Sequence, residues 1–173
     1  MNFLTSNKMK LKFSIPGLIA ALALVLNSCQ KAPAQVLAGS YTFKTSGYVS
    51  AQNDNDSNIK NFNVPTDSGQ MDIAVVDAQA GQLLVTMNIS GGELLVFDGS
   101  IEGEEIKLSS ITRIVKAESL FSDVSGEFQI EGSGKRYDNI ILFDIIYSGR
   151  LTSGVDSYTI IGSDVHCRAK RNE

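Results

Sequence analysis

The chain's one histidine, His166, lies in Gly162-Ser163-Asp164-Val165-His166, with a hydroxyl and a carboxylate close by. Those are the parts of a nucleophilic triad, in which imidazole takes the hydroxyl proton and the acid orients the imidazole. On a β-strand, however, successive side chains point to opposite faces. Asp164 and His166 then share a face about 6.6 Å apart, while Ser163 takes the other. The expectation is an exposed histidine on the last strand, with no catalytic role.

Asp54-Asn55-Asp56-Ser57-Asn58 has the D-x-D-x-N opening of a calcium loop. Such a loop needs glycine at its sixth position for a sharp turn and a bidentate glutamate at its twelfth. Ile59 and Pro65 stand there instead, so a solvated Asn/Asp loop without metal is expected. Glu102, Glu104 and Glu105 cluster at a hairpin tip. Paired carboxylates do acid–base work when held across a desolvated cleft, and a turn tip leaves them solvated. Arg168, Lys170 and Arg171 form a basic C-terminal end, expected as surface charge near an edge or a fraying terminus. The two cysteines, Cys29 and Cys167, make neither a disulfide framework nor, with one histidine, a structural zinc site. Nothing here amounts to a catalytic set, and no metal, cofactor or enzymatic activity is expected.

The 173 residues suffice for one ordinary domain behind a targeting segment. Hydrophobic content of 43% and charged content of 20% are those of a globular protein. Lys8, Lys10 and Lys12 are the only charges before Cys29; without them 12 basic residues face 19 acidic ones, a formal −7. A body of that sign is repelled by phosphate backbones, which argues against nucleic acid as a partner.

From Gly39 onward apolar residues recur with period two, the mark of strands half buried against a core. Leu83, Val85, Met87 and Ile89 share one face, as do Ile141, Phe143, Ile145 and Tyr147. Turn chemistry separates the strands at Ala80-Gly81, Ser90-Gly91-Gly92, Glu102-Gly103-Glu104, Gly132-Ser133-Gly134 and Thr152-Ser153-Gly154. Residues 116–123 are the one short helix candidate. Residues 51–69 read as a long irregular piece, with a short edge strand at Phe62-Asn63-Val64 before Pro65. In the last strand Tyr158, Ile160 and Gly162 are apolar at even positions, whereas Val165, Cys167 and Ala169 are apolar at odd ones. A one-residue slip flips every side chain, so a bulge is expected near Gly162-Ser163, with Cys167 facing the core and inert. The fold class is all-β: an antiparallel meander of about eight strands closed into a barrel, with a β-sandwich as the alternative.

The N-terminus carries a different chemistry. Three lysines precede an apolar run of 14 residues, Phe13–Leu26, too short for the ~20 that a spanning helix needs and typical of a secretory signal. Leu26-Asn27-Ser28-Cys29 resembles the bacterial lipobox. That resemblance implies cleavage between Ser28 and Cys29, diacylglycerylation of the thiol and acylation of the new amino group, giving a palmitate-bearing lipoprotein. The expected organisation is a signal peptide over 1–28, a tether over 29–38 and a barrel over 39–173. By resemblance to lipoprotein sorting, the absence of Asp after Cys29 implies the outer membrane, facing the periplasm.

Phe97-x-Gly99-x-Ile101-x-Gly103, followed by Ile106-x-Leu108, is similar to hairpins of the calycin-like and lipocalin-like β-barrel lipoproteins of Gram-negative bacteria. Gly126-x-Phe128-x-Ile130-x-Gly132, leading to Ile141-x-Phe143-x-Ile145-x-Tyr147, looks like a second copy. Gly39-Ser40-Tyr41 sits where lipocalins carry Gly-x-Trp, and this chain has no tryptophan. The resemblance implies a barrel that holds a small apolar or amphipathic ligand. Tyr41, Phe43, Phe97, Phe128, Phe143 and Tyr147 are the cavity candidates, and an eight-stranded barrel filled by its own side chains is equally open. The second functional expectation is an envelope protein–protein or glycan interaction module with such a filled interior.

Overall fold

A computed structural model of the chain describes residues 31–64, 66–115 and 124–173. The signal and lipidation residues, Ser28 and Cys29 among them, lie outside these, as do Pro65 and the helix expectation at 116–123. A five-residue helix α1 (Pro33–Leu37) is followed by β1 (Gly39–Asn53), β2 (Ile59–Asn63), β3 (Ser68–Asp77), β4 (Gln82–Ile89) and β5 (Leu94–Glu102). Then come β6 (Glu105–Val115), β7 (Val124–Tyr137), β8 (Ile140–Ser153) and β9 (Asp156–Arg171).

Strands β3 to β9 pair with their sequence neighbours, and β1 joins β3 to β9, closing an eight-stranded antiparallel barrel with β2 as an extra strand. The sandwich alternative is therefore not the fold. Closure removes the open edges that a long meander otherwise exposes. One edge of β1 runs along β9 from Tyr41 to Asn53. The other edge is shared: β3 takes Gly39–Lys44, and β2 takes Tyr48–Gln52. The handover falls at Gly47, whose φ of +140° no L side chain adopts comfortably. A Cβ there would also collide with the Asp164 carbonyl of β9. Much of residues 51–69 is therefore paired rather than irregular: β1 continues to Asn53, a turn follows, and β2 includes the Phe62-Asn63 expected as an edge strand. Among the described residues β2 has β1 as its only ladder partner, which suits a segment ending two residues before a proline.

Two bulges set which residues face inward. Ser50 of β1 opposes Gly162 while Ala51 opposes Ile160, so Ile161 is the extra residue of β9. The Ser163 hydroxyl repairs the ladder locally, donating to the Ile145 carbonyl (2.9 Å) and accepting from the Tyr147 N–H (3.2 Å). Val165, Cys167 and Ala169 are buried as the parity change requires, and burial pushes the Cys167 thiol up to about 12. In β6, Leu108 opposes Gly132 and Ile111 opposes Ile130, so Ser109-Ser110 holds one extra residue. Inward positions change there from Ile106 and Leu108 to Ile111 and Arg113.

The antiparallel order places residues 54–58, 90–93 and 154–155 at one end, here the upper one. The turns at 78–81, 103–104 and 138–139 lie at the lower end, where α1 also sits. The stretch expected as a tether over 29–38 is thus helical from Pro33, and its Ala34 and Leu37 are buried. Proline at the first turn suits a helix start, because its missing N–H has no partner there anyway. The Tyr41 hydroxyl donates to the Leu37 carbonyl (2.6 Å). Arg171, over the Tyr41 ring at 5.4 Å, donates to the Ala38 carbonyl and ties the end of β9 to the same place. β9 is paired on both sides, so the basic C-terminal end is neither at an edge nor frayed.

Gly47→Ala should lower stability by about 3 kcal/mol or more, since overpacking and an unfavourable φ act together. Urea unfolding of the variant checks this; a loss below about 1 kcal/mol would mean that the β1–β9 approach is not tight.

Candidate functional site

The β6 bulge turns a charged side chain into the barrel. Arg113 is 5% exposed, and all five of its N–H donors are used. Nη1 and Nη2 donate to Asp67 at 2.6 and 3.3 Å, Nε and Nη2 to Glu93 at 3.0 and 2.7 Å, and Nη1 also to the Tyr147 hydroxyl at 3.2 Å. Burial alone works against the charge, but the hydrogen bonds from Asp67 and then Glu93 overcome it and hold the guanidinium protonated. Tyr147 is pushed above the usual phenol value, chiefly by burial.

Each partner belongs to a different element. Asp67 lies in the break between β2 and β3, fixed by its N–H to the Thr45 hydroxyl (2.9 Å) and by its carbonyl to the Thr45 N–H (2.8 Å). Glu93 lies in the β4–β5 turn, where its carbonyl accepts from the Ile89 N–H (2.8 Å). Backbone pairing between β5 and β6 stops at Gly99 and Leu108. Above that point, among the described residues, Leu94–Asp98 and Ser109–Val115 share no ladder. From β6 the guanidinium spans the opening to Glu93 at the head of β5 and also holds Asp67 at the head of β3. The arrangement is a clamp: it offers no nucleophile, and both charged partners are already committed to the arginine.

The aromatic cavity candidates all point inward. Tyr41, Phe43, Phe97 and Phe143 are at most 2% exposed and fill the middle and lower barrel. Phe128 and Tyr147 meet edge to face at 6.0 Å near the upper end. There they line, with Phe62, Val64, Arg113 and Leu151, a cavity of about 30 Å³. That volume has room for about one or two waters. A larger groove of about 560 Å³ lies on the outer wall where β5 and β6 part, between Gln82, Asp98, Ser100, Lys107 and Ser109, and is open to solvent.

The other sequence candidates do not converge. Ser163 is engaged in the β9 bulge, away from His166. His166 stands on the outer wall with Asp144 on Nδ1 (2.8 Å) and Asp164 on Nε2 (3.0 Å). Carboxylates only accept, so the imidazolium is the form that can donate to both, and the hydrogen bond to Asp144 first, with that to Asp164 adding to it, raises the imidazole pKa. Asp54 accepts from the Thr159 hydroxyl (2.8 Å), whereas Asp56 accepts from Asn58, so the two carboxylates of the calcium-like stretch are turned to different neighbours. Glu102 faces Lys107 at 3.6 Å, both well exposed, and Glu104 and Glu105 are exposed. Among the described residues no three His, Cys, Asp or Glu side chains gather to hold a metal.

Arg113→Met should cost about 3–5 kcal/mol, because it strands the nearly buried Asp67 carboxylate without a counter-charge. Asp67→Asn added to it should recover part of that loss in urea unfolding; simple additivity would show that the pair is not coupled. His166 acts with the opposite pH sense to a carboxylate whose pKa is lowered by a partner. Its folded-state pKa lies above the unfolded value of about 6.5, so its contribution is full below that pH and is lost as pH rises through the raised value. His166→Gln should therefore cost about 0.2–1 kcal/mol at pH 5.5, as exposed pairs do, and less at pH 8.5. Paired melts at the two pH values test this, and a pH-independent difference would contradict it.

No protein-family model matches the chain, and no curated protein matches it. A solved structure, EF1p2_mFAP2b bound to DFHBI, is 16% identical, the match covering 82% of this chain and 98% of that one with a TM-score of 0.43. A likeness of that size carries no functional argument, and the barrel described above rests on the chain's own strand pairing.

Proposed function

We propose that this chain is a non-enzymatic lipoprotein of the bacterial envelope, anchored through an acylated Cys29. In this reading it sits in the outer membrane facing the periplasm and uses its barrel as a rigid scaffold for contacts made by its outer surface and end turns. The observation that supports the scaffold reading best is the filled interior. Tyr41, Phe43, Phe97 and Phe143 occupy the space in which a lipocalin holds its ligand, leaving about 30 Å³. The anchoring half rests on the sequence: positive flank, short apolar run and Leu-x-small-Cys. Two or more acyl chains give stable attachment at ~0.8 kcal/mol per buried CH₂, where one is marginal.

A small apolar or amphipathic ligand is the second reading, favoured by the void among the described residues that is walled by Phe62, Phe128 and Tyr147. Such a ligand would have to displace the Phe128–Tyr147 pair, since the void takes little more than water.

Cys29→Ala should abolish incorporation of labelled fatty acid and move the protein out of the sedimenting membrane fraction. Equal sedimentation and no label in either form would refute the anchor. Native mass spectrometry of protein purified from its own membrane should show the bare acylated chain. A recurrent co-purifying metabolite would favour the ligand reading instead.

A further inference from the structure

The outer wall at the lower end carries a charge pattern opposite to that of the molecule. Lys44 of β1 stands opposite Arg168 of β9, Arg168 opposite Leu142 of β8, and Leu142 opposite Lys135 of β7. One row lower, Thr42, Lys170, Ile140 and Tyr137 follow in the same order. Lys44, Lys135, Arg168 and Lys170 are exposed, and so are Leu142 and Tyr137, at 45% and 56%. Among the described residues none of the four cations enters an ion pair. Carboxylates at this end include Glu105, opposite Lys135, Asp144, bound to His166, Asp72, bonded to Ser40, and the exposed Asp138 and Glu173. Like charges directly opposite each other on a sheet face are destabilising, so Lys44 beside Arg168 is a cost that the fold itself does not repay. In a body of formal charge −7 this cluster is a sector suited to an anionic surface.

The chain's geometry says which surface. Because α1 is docked on the barrel, three residues separate Cys29 from its first residue Pro33, four Cα-to-Cα steps that reach at most about 14 Å. An anchor on Cys29 therefore holds the lower end against the bilayer instead of letting the barrel stand away from it. We infer that the Lys44–Lys135–Arg168–Lys170 wall, with Tyr137, Ile140 and Leu142 between the cations, docks on the anionic headgroups of the phospholipid surface to which the protein is tethered. Cations neutralise the lipid phosphates, while the aliphatic and aromatic side chains reach the headgroup–acyl boundary, where a dissolved anion would give them nothing. This deepens the lipid-anchor reading and rests on it for the tether.

The test uses the mature chain from residue 29 with Cys29→Ala, free of the lysines and apolar run of residues 1–28, on vesicles of phosphatidylcholine alone and with phosphatidylglycerol added. The anionic vesicles should bind it more strongly. Lys44→Gln, Arg168→Gln and Lys170→Gln introduced together should lower that partition about fivefold per cation, about a hundredfold in all, at low salt. High salt should erase the difference. Lys60→Gln with Arg150→Gln, at the upper end, should leave it unchanged. Melting temperatures at or above that of the parent chain would show that the variants fold, since removing the Lys44–Arg168 repulsion can only help. If the triple variant retains the preference for anionic vesicles, or the upper-end pair loses as much, the docking wall is overturned. Acylated wild-type protein on phosphatidylcholine alone reports the anchor separately: release from those vesicles would overturn the lipoprotein reading and leave the wall to be judged by its charge dependence.

Discussion

A charged group inside a small barrel is costly, and this barrel's upper half depends on one. Taking Arg113 out of water is unfavourable by several kcal/mol unless every donor finds an acceptor. Here all five do, and the acceptors come from the β2–β3 break, the β4–β5 turn and β8. Side-chain bonds thereby replace the backbone bonds that β5 and β6 fail to make above Gly99. The substitution has a directional benefit. A hydrophobic contact across the opening would tolerate sliding, whereas a planar guanidinium held at both sides fixes the separation and the rotation of the two strands.

Register explains how that arginine reaches the inside. The extra residue at Ser109-Ser110 shifts β6 by one and moves Arg113, not Thr112 or Ile114, to the inner face. The comparable shift at Ile161 moves Cys167 inward in β9. The two cases differ in legibility. In β9 the apolar parity change from Tyr158 and Ile160 to Val165 and Cys167 is plain in the sequence, and the bulge could be expected from it. In β6 the same change runs from Ile106 and Leu108 to Ile111 and Val115, so the signal was present. An arginine at an inner position reads as an argument against burial until its two acids are placed, and those lie 20 and 46 residues away. Pairing over that separation is a tertiary fact that no local pattern contains.

Other elements fall on either side of the same line. Strand existence and face follow from a two-residue period and were readable throughout β3, β4 and β8. Helix α1 was not: its five residues have only Ala34 and Leu37 to bury, and its place depends on Tyr41 and Arg171 from elsewhere in the chain. β2 was half readable, since Pro65 marks an edge but nothing local shows that β1 is long enough to carry two partners along one side. The inward aromatics were identifiable by parity, yet whether they enclose space or fill it depends on side-chain volumes meeting across the barrel.

The joining of β1 to β9 over thirteen residue pairs also sets an order of events. The first strand's longest partner is the ninth, so the ring has no closed intermediate until β9 has left the ribosome. Non-local pairing of this kind is slow to find, because the loop entropy of the whole domain must be lost first. The export proposed above, in which the chain crosses a membrane before folding, would be helped by that delay. An open meander waiting for its last strand stays threadable, and the same seam that makes the finished barrel edgeless keeps the unfinished one from closing early.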